Sequence, residues 1–384
     1  MTRLHREFPA KAESLYWRAP RTTVHGHVRP IFLESPTMKH AMPFLARLPL
    51  SLGLAAALLT GCAAPRPESG PADVAVPLVI LDTDVGSSTD DLFALEMLYR
   101  YEDAGKCQLL GVVVDRPGEA NAAFVDAMNA WAGRPELPVG LVRRGPADAK
   151  VFIDYARVAD AADAGGRPLF PRTAPGDRPD GAALYRRLLA DAPDGSVTVC
   201  SIGFLTALAQ LLESPPDGLS PLGGAELVRR KVARAVMMGG AFADGAEPEY
   251  NFAMDPESAR TFFRLWPRDV EIVFSPAEVG DAIDYPPALV VSDLSRTDRH
   301  PIKQVYLQYE CDTGQRMWDA LAAVQAVEGD AAFSLGGRGT VELSPDGRTV
   351  FVPSPSGNCR RQLPGSPAWN AAMLEKIRAF NQAR

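Results

Sequence analysis

The chain has 384 residues, room for one large α/β domain or two ordinary ones, and 46% of them are hydrophobic, enough for a substantial core. A net charge of −7 excludes the basic footprint of a nucleic-acid binder, so no nucleic-acid partner is expected. Four of five histidines (His5, His25, His27, His40) fall in the N-terminal leader, which excludes a His-rich zinc site and leaves His300 as the only histidine for a Ser-His-Asp triad.

The leader comes first in chain order. Residues 1–37 carry no signal pattern and read as an extra upstream segment, with Met38 as the functional start. Residues 38–61 have a basic start, an apolar run and small residues before a cysteine, which is a secretory signal pattern. The run is short for a spanning helix and is interrupted by Arg47. Its end, Leu59-Thr60-Gly61-Cys62, resembles a bacterial lipobox, which implies cleavage before Cys62 and lipidation of that thiol. Residues 62–77, rich in Pro and Ala, then read as a lipidated tether. The expected location is the bacterial cell envelope, lipid-anchored and facing the periplasm or the surface, with the membrane as a partner through the anchor. Export implies an oxidising compartment. Cys311 and Cys359, in loop-like contexts, are expected to pair there, while Cys107 and Cys200 lie in apolar strand-like segments that suit buried thiols.

The folded part, 78–384, opens with LVILDTDVGSSTDDLFAL. An apolar strand ends in Asp82 and Asp84, and a helix pattern starts at Asp90 and Asp91. Four clustered acids repel one another unless a cation sits among them or some are protonated. Oxygen ligands without neighbouring His or Cys favour Ca²⁺ or Mg²⁺ over zinc. Ser88-Thr89-Asp90-Asp91 also fits a helix-capping pattern, which accounts for two of the acids but not for Asp82 and Asp84.

Further strands are expected at 109–114, 139–142, 197–200, 233–238 and 270–274, and helices at 91–101, 120–132, 181–189, 205–213 and 256–265. This alternation predicts an α/β fold: a mostly parallel central sheet with helices on both faces, whose strand ends form the ligand crevice. Residues 145–180 break the rhythm and read as a long loop or lid. His300 precedes Pro301 at a helix start and is expected at the surface. Residues 339–353 read as a β-hairpin turning at Pro345-Asp346-Gly347, and residues 367–381 as a closing helix.

These motifs together resemble the inosine-uridine-preferring nucleoside hydrolases. Their opening D-x-D-x-G-x-D-D corresponds to Asp82-Thr83-Asp84-Val85-Gly86, two extra residues, then Asp90-Asp91. A branch of the family carries this longer form, commonly with an Asp where this chain has Ser88. Ser201-Ile202-Gly203-Phe204-Leu205-Thr206 is similar to the family's strand ending before G-x-L-T. Met238-Gly239-Gly240, Glu249, Asn251 and Asp255-Pro256-Glu257 resemble its MGG…E-x-N…DPE segment, and Trp318-Asp319 its late Asp. The resemblance implies a nucleoside-hydrolase fold, frequently assembled as dimers or tetramers, and an N-glycosyl hydrolase for purine or pyrimidine ribonucleosides or related ribosides. It implies Ca²⁺ held by Asp84, Asp91, Asp319 and the Ile202 carbonyl, with Asp82 behind them. Asp84 would be the general base toward a water. Asp90, Glu249, Asn251, Trp318 and Asp319 would contact the substrate. Many members have His at the position of Trp318, to protonate the leaving base, so here activation comes from elsewhere or from stacking.

Two other readings fit parts of the chain. A haloacid-dehalogenase-type phosphatase would use Asp82 as nucleophile with Asp84, Ser201, Lys231, Asp281 and Asp284. A non-catalytic riboside-binding lipoprotein is compatible with Ser88 and with the missing histidine.

Overall fold

The computed structural model describes residues 76–86, 88–146, 155–163, 165–170, 178–294, 297, 299–309 and 314–382. The upstream segment, the signal pattern, Cys62, all of the tether before Val76 and Cys311 lie outside the described residues.

Strand β1 (Leu78–Thr83) leads into α1 (Asp90–Asp103), followed by β2 (Gln108–Val114), α2 (Glu119–Trp131), β3 (Val139–Leu141) and α3 (Gly181–Asp191). Next come β4 (Val197–Ser201), α4 (Thr206–Glu213), α5 (Gly224–Lys231), β5 (Val232–Met238), α6 (Tyr250–Met254), α7 (Pro256–Leu265) and β6 (Glu271–Ser275). The remainder comprises α8 (Ala277–Gly280), β7 (Asp284–Tyr285), α9 (Pro287–Asp293), α10 (Pro301–Tyr309), β8 (Gln315–Arg316), α11 (Trp318–Glu328), β9 (Gly339–Leu343), β10 (Thr349–Pro353), β11 (Cys359–Arg361) and α12 (Pro367–Gln382).

The main sheet runs β10-β9-β11-β6-β5-β4-β1-β2-β3. Every pairing from β3 to β11 is parallel, and the β9–β10 hairpin closes the far edge antiparallel. This is the expected fold, with its C-terminal hairpin and helix. Chain order reverses between β1 and β4, which puts a topological switch point beside β1.

Side-chain alternation along the strands fills two cores. Val79, Leu81, Val112, Val114, Cys200 and Val236 face the cluster that contains α1, α2 and α11. Ile80, Val113, Val197, Val199, Ala235 and Met237 face α3, α4, α5 and α7. Burial on both faces explains why these strands read as continuous apolar runs. Helix α11 lies against α1 and the sheet, and its alanines allow close approach, so nearly all of it is buried.

Some expectations change. The described part of the 145–180 loop has a 3-10 turn at Tyr155–Asp160 that packs beside α2 and α10 and buries Val158 and Ala159. His300 is buried rather than surface-exposed, and its ring meets Trp131 edge-on at 5.8 Å. Cys359 is a free buried thiol pushed up to about 11 by burial, which corrects the Cys311–Cys359 pairing: β11 inserts it into the sheet beside Ile272. Cys107 and Cys200 are buried and free, as their apolar surroundings suggest. Helices α5 and α6 went unread, the first because it is short and charged, the second because a single side chain starts it.

Candidate active site

The carboxyl ends of β1, β2, β4 and β5 converge at the switch point. Strand β1 delivers Asp82 and then Asp84, both buried. The Ile202 N–H donates to the Asp82 carbonyl at 2.7 Å, holding the ends of β4 and β1 together. Gly203 makes this approach possible: a Cβ there would lie 2.4 Å from the Asp84 nitrogen. Gly86 turns the chain at φ +121°, a backbone that side chains rarely adopt, and sends it toward α1.

Helix α1 begins without a side-chain cap. The Thr89 hydroxyl donates to Gln315 Oε1 at 2.7 Å, while Ser88 Oγ accepts from the Asp90 N–H at 3.4 Å. Gln315 Nε2 also donates to Ser88 Oγ at 3.4 Å, tying β8 to the motif loop. Ser88 donates to Asp90, and Thr83 donates to Asp91.

Asp319 enters from the first turn of α11. Asp90, Asp91 and Asp319 are all buried and offer carboxylate oxygens within 4.8 Å of one another. Burial first, and then repulsion from Asp84 and Asp90, holds Asp91 well above the usual carboxylate range. Asp319 is raised in the same way, by burial and then by Asp90, Asp91 and Asp84. Such a donor set, all oxygen and mutually repelling, could hold a metal ion and suits a hard divalent cation. Asp84, expected among the ligands, belongs to the same electrostatic group, whereas Asp90, expected at the substrate, stands in the tight trio.

Glu249 caps α6. Its carboxylate accepts from the backbone N–H groups of Asn251 at 2.8 Å, Gly240 at 3.2 Å and Phe252 at 3.3 Å. Burial still lifts it to about 7, with repulsion from Asp84 adding to the rise. Asn251 Nδ2 donates to the Ile202 carbonyl at 3.2 Å and to the Met238 carbonyl at 3.3 Å. The E-x-N segment is therefore buried beside the β4 and β5 ends rather than lying on a solvated loop. Trp318 is half-buried and packs on α8, where a Cβ on Gly280 would meet its Cδ1 at 2.3 Å; its indole N–H donates to Asp281 Oδ1 at 3.1 Å.

Two site residues escaped the sequence reading. Asp115 and Arg116 follow the last apolar residue of β2. Asp115 is buried beside Asp82, and its carboxyl is raised well above the usual range by burial and then by Asp82. Arg116 is paired with Asp84 at 3.4 Å. The signal was present: a strand of VVV type ending in Asp-Arg repeats the pattern of β1.

The phosphatase reading does not fit this geometry. Lys231 ends α5 just before β5, and β5 runs parallel to β4 with Val232 beside Val197. Its ammonium contacts the Ala192 carbonyl at 2.7 Å and Asp194 at 2.9 Å, at the amino end of the sheet, opposite Asp82.

The family model described as "Inosine-uridine preferring nucleoside hydrolase" matches residues 79–376. The chain belongs to that family. Membership makes this hydrolase an N-glycosyl hydrolase of the ribonucleoside type. Solved structures agree on its fold. The inosine-uridine preferring nucleoside hydrolase from Bacillus anthracis aligns with TM-score 0.59 and 18% identity, over 79% of this chain and 100% of that one. The purine-preferring ribonucleoside hydrolase from Gardnerella vaginalis aligns with TM-score 0.59 and 15% identity, over 80% and 100%. The type III effector XopQ, solved with adenosine diphosphate ribose, aligns with TM-score 0.56 and 20% identity, over 80% and 94%. No curated protein matches the hydrolase by sequence.

Proposed function

We propose that the protein is a Ca²⁺-dependent ribonucleoside hydrolase that breaks the N-glycosidic bond with a water and an Asp84 general base. The convergence of Asp90, Asp91 and Asp319 beside Asp84 at the sheet's switch point carries this reading. Asp84, Asp91, Asp319 and the Ile202 carbonyl would hold the cation, with Asp90 close to the same position. When bound, the cation lowers the pKa of a coordinated water and orients oxygen ligands. Asp84 takes the water's proton as the oxygen attacks the anomeric carbon. Asp82, held by the Tyr185 hydroxyl, keeps the end of β1 fixed behind Asp84.

Glu249, Asn251 and Asp90 hold ribose hydroxyls in this reading. Buried acceptors left unpaired reject a sugar lacking the matching hydroxyl, by as much as ~10⁴-fold. Trp318 forms the wall next to Asp319, and no histidine protonates the leaving base from that position. The names of the relatives, hydrolases of inosine, uridine or purine ribonucleosides, support the substrate class. The leader pattern supports a lipid-anchored protein of the cell envelope, with Cys62 as the lipidated residue and residues 78–384 as the catalytic domain. Family habit supports a homo-oligomer.

The deciding experiment is reducing-sugar release from a panel of ribonucleosides by the full chain, beside Asp84→Ala. Release that vanishes in the variant and on chelation of Ca²⁺ is expected. Tight riboside binding without release would move the non-catalytic reading ahead.

A further inference from the structure

Arg116 is a buried cation inside a nest of acids. It is 2% exposed, at the carboxyl end of β2, where Asp84 is 3% exposed. Its Nε donates to the Asp84 carbonyl at 3.1 Å and its Nη2 to Asp84 Oδ2 at 3.4 Å, so a single planar group grips both the backbone and the carboxylate of one residue. Nη2 also donates to the Tyr250 hydroxyl at 3.2 Å. The guanidinium lies 5.4 Å from the centre of the Phe204 ring, which follows Ile202 and Gly203 just after β4. Four separate elements therefore meet on this side chain: β2, the β1 end, the β4 end and α6.

We propose that Arg116 is a positioning residue that clamps Asp84 in one orientation and, by its charge, holds down the site's affinity for a divalent cation. The clamp follows from the two-point grip, because a guanidinium fork fixes the plane of whatever it binds both ways. The brake follows from Coulomb's law in a buried site, where a fixed positive charge beside the cation's acidic cradle is poorly screened. The field of Arg116 reaches Asp91 too, where it opposes the rise that the neighbouring acids impose. This rests on the reading of Asp84 as a cation ligand and base.

The test titrates the full-length protein with Ca²⁺ by calorimetry, beside Arg116→Met, Arg116→Gln and Arg116→Lys, and measures kcat and KM on the best nucleoside. Both neutral variants should bind Ca²⁺ ~10-fold or more tightly than wild type, since a buried unit charge has been removed. Their kcat should fall, because Asp84 has lost its clamp. Arg116→Lys keeps the charge and loses the fork, so its Ca²⁺ affinity should stay close to wild type while kcat drops. Two neutral variants guard against one failing to fold, as judged by circular dichroism. Unchanged Ca²⁺ affinity in a folded neutral variant overturns the proposal. Wild-type binding of Ca²⁺ that survives Asp84→Ala, or no binding at all, overturns instead the reading of Asp84 on which it rests, and the proposal with it.

Discussion

Asp82 and Asp115 lie side by side at the ends of β1 and β2, both without solvent exposure. The Tyr185 hydroxyl donates to Asp82 at 2.7 Å and the Ala207 N–H to Asp115 at 3.0 Å. Two buried carboxyls side by side disfavour a second negative charge, so the charge on Asp82 raises Asp115. Burial, the largest cause, lifts Asp82 to about 6 and Asp115 well above the usual range. A raised carboxyl stabilises the fold fully below its unfolded value and loses that contribution as pH rises through its folded value. For Asp82 the window opens at 3.8 and extends to about 6. In chelator, urea melts should show stability falling across that window. Asp115→Asn, which removes the neighbouring charge, should flatten the fall, and equal slopes in both proteins would rule out the coupling of the two acids.

Removing the cation should expose the repulsion among Asp90, Asp91 and Asp319. A ligand at ~100 times its Kd stabilises by ~2.7 kcal/mol. Thermal melts of the wild type should therefore shift upward by several degrees when Ca²⁺ replaces chelator. Asp319→Asn should reverse the order: more stable than wild type in chelator, because one of the repelling charges has gone, and less stable in Ca²⁺. An Asp319→Asn melt that still rises with Ca²⁺ as much as wild type would show that the trio does not hold the ion.

Glu249 provides a pH signature in binding. It is raised to about 7, chiefly by burial, while three backbone N–H groups favour its charged form. As the acceptor of a ribose hydroxyl it works best ionised, so KM should fall as pH rises through that value. Glu249→Gln should remove this dependence and raise KM, with a loss of ~10-fold or more in kcat/KM for a buried charged hydrogen bond. A KM profile identical in the two proteins would separate Glu249 from the sugar.

Gly203→Ala should disable the site from a position that carries no functional group. Its Cβ would fall 2.4 Å from the Asp84 nitrogen and 2.7 Å from the Thr83 carbonyl carbon, both backbone atoms. Overpacking of this kind costs ~1–3 kcal/mol. Unfolding should reveal that loss, and Ca²⁺ affinity should drop because the ends of β1 and β4 are forced apart. A variant with wild-type stability and Ca²⁺ binding would show that the two loops can part freely.

Much of this architecture is legible in the sequence. The β/α alternation, the hairpin at Pro345-Asp346-Gly347 and the acids of the first motif could all be read because local pattern and burial agree there. His300 misled because a histidine before a proline looks like a surface turn, and only the packing against Trp131 reveals its burial. Cys359 misled because three residues of β11 are too few to show a strand period. The partner of Thr89 could not be read locally, because it is Gln315, more than two hundred positions away.

Sequence alone determined most of the elements, the two-faced sheet and the acids of the first motif, because periodicity and motif spacing are local properties of the chain. Tertiary structure decided which charges neutralise which. Asp115 and Arg116 are ordinary residues after a strand until the parallel pairing of β1 with β2 sets them against Asp82 and Asp84. That pairing is long-range, and the ionisation of a buried acid depends on everything packed around it rather than on its neighbours in the chain.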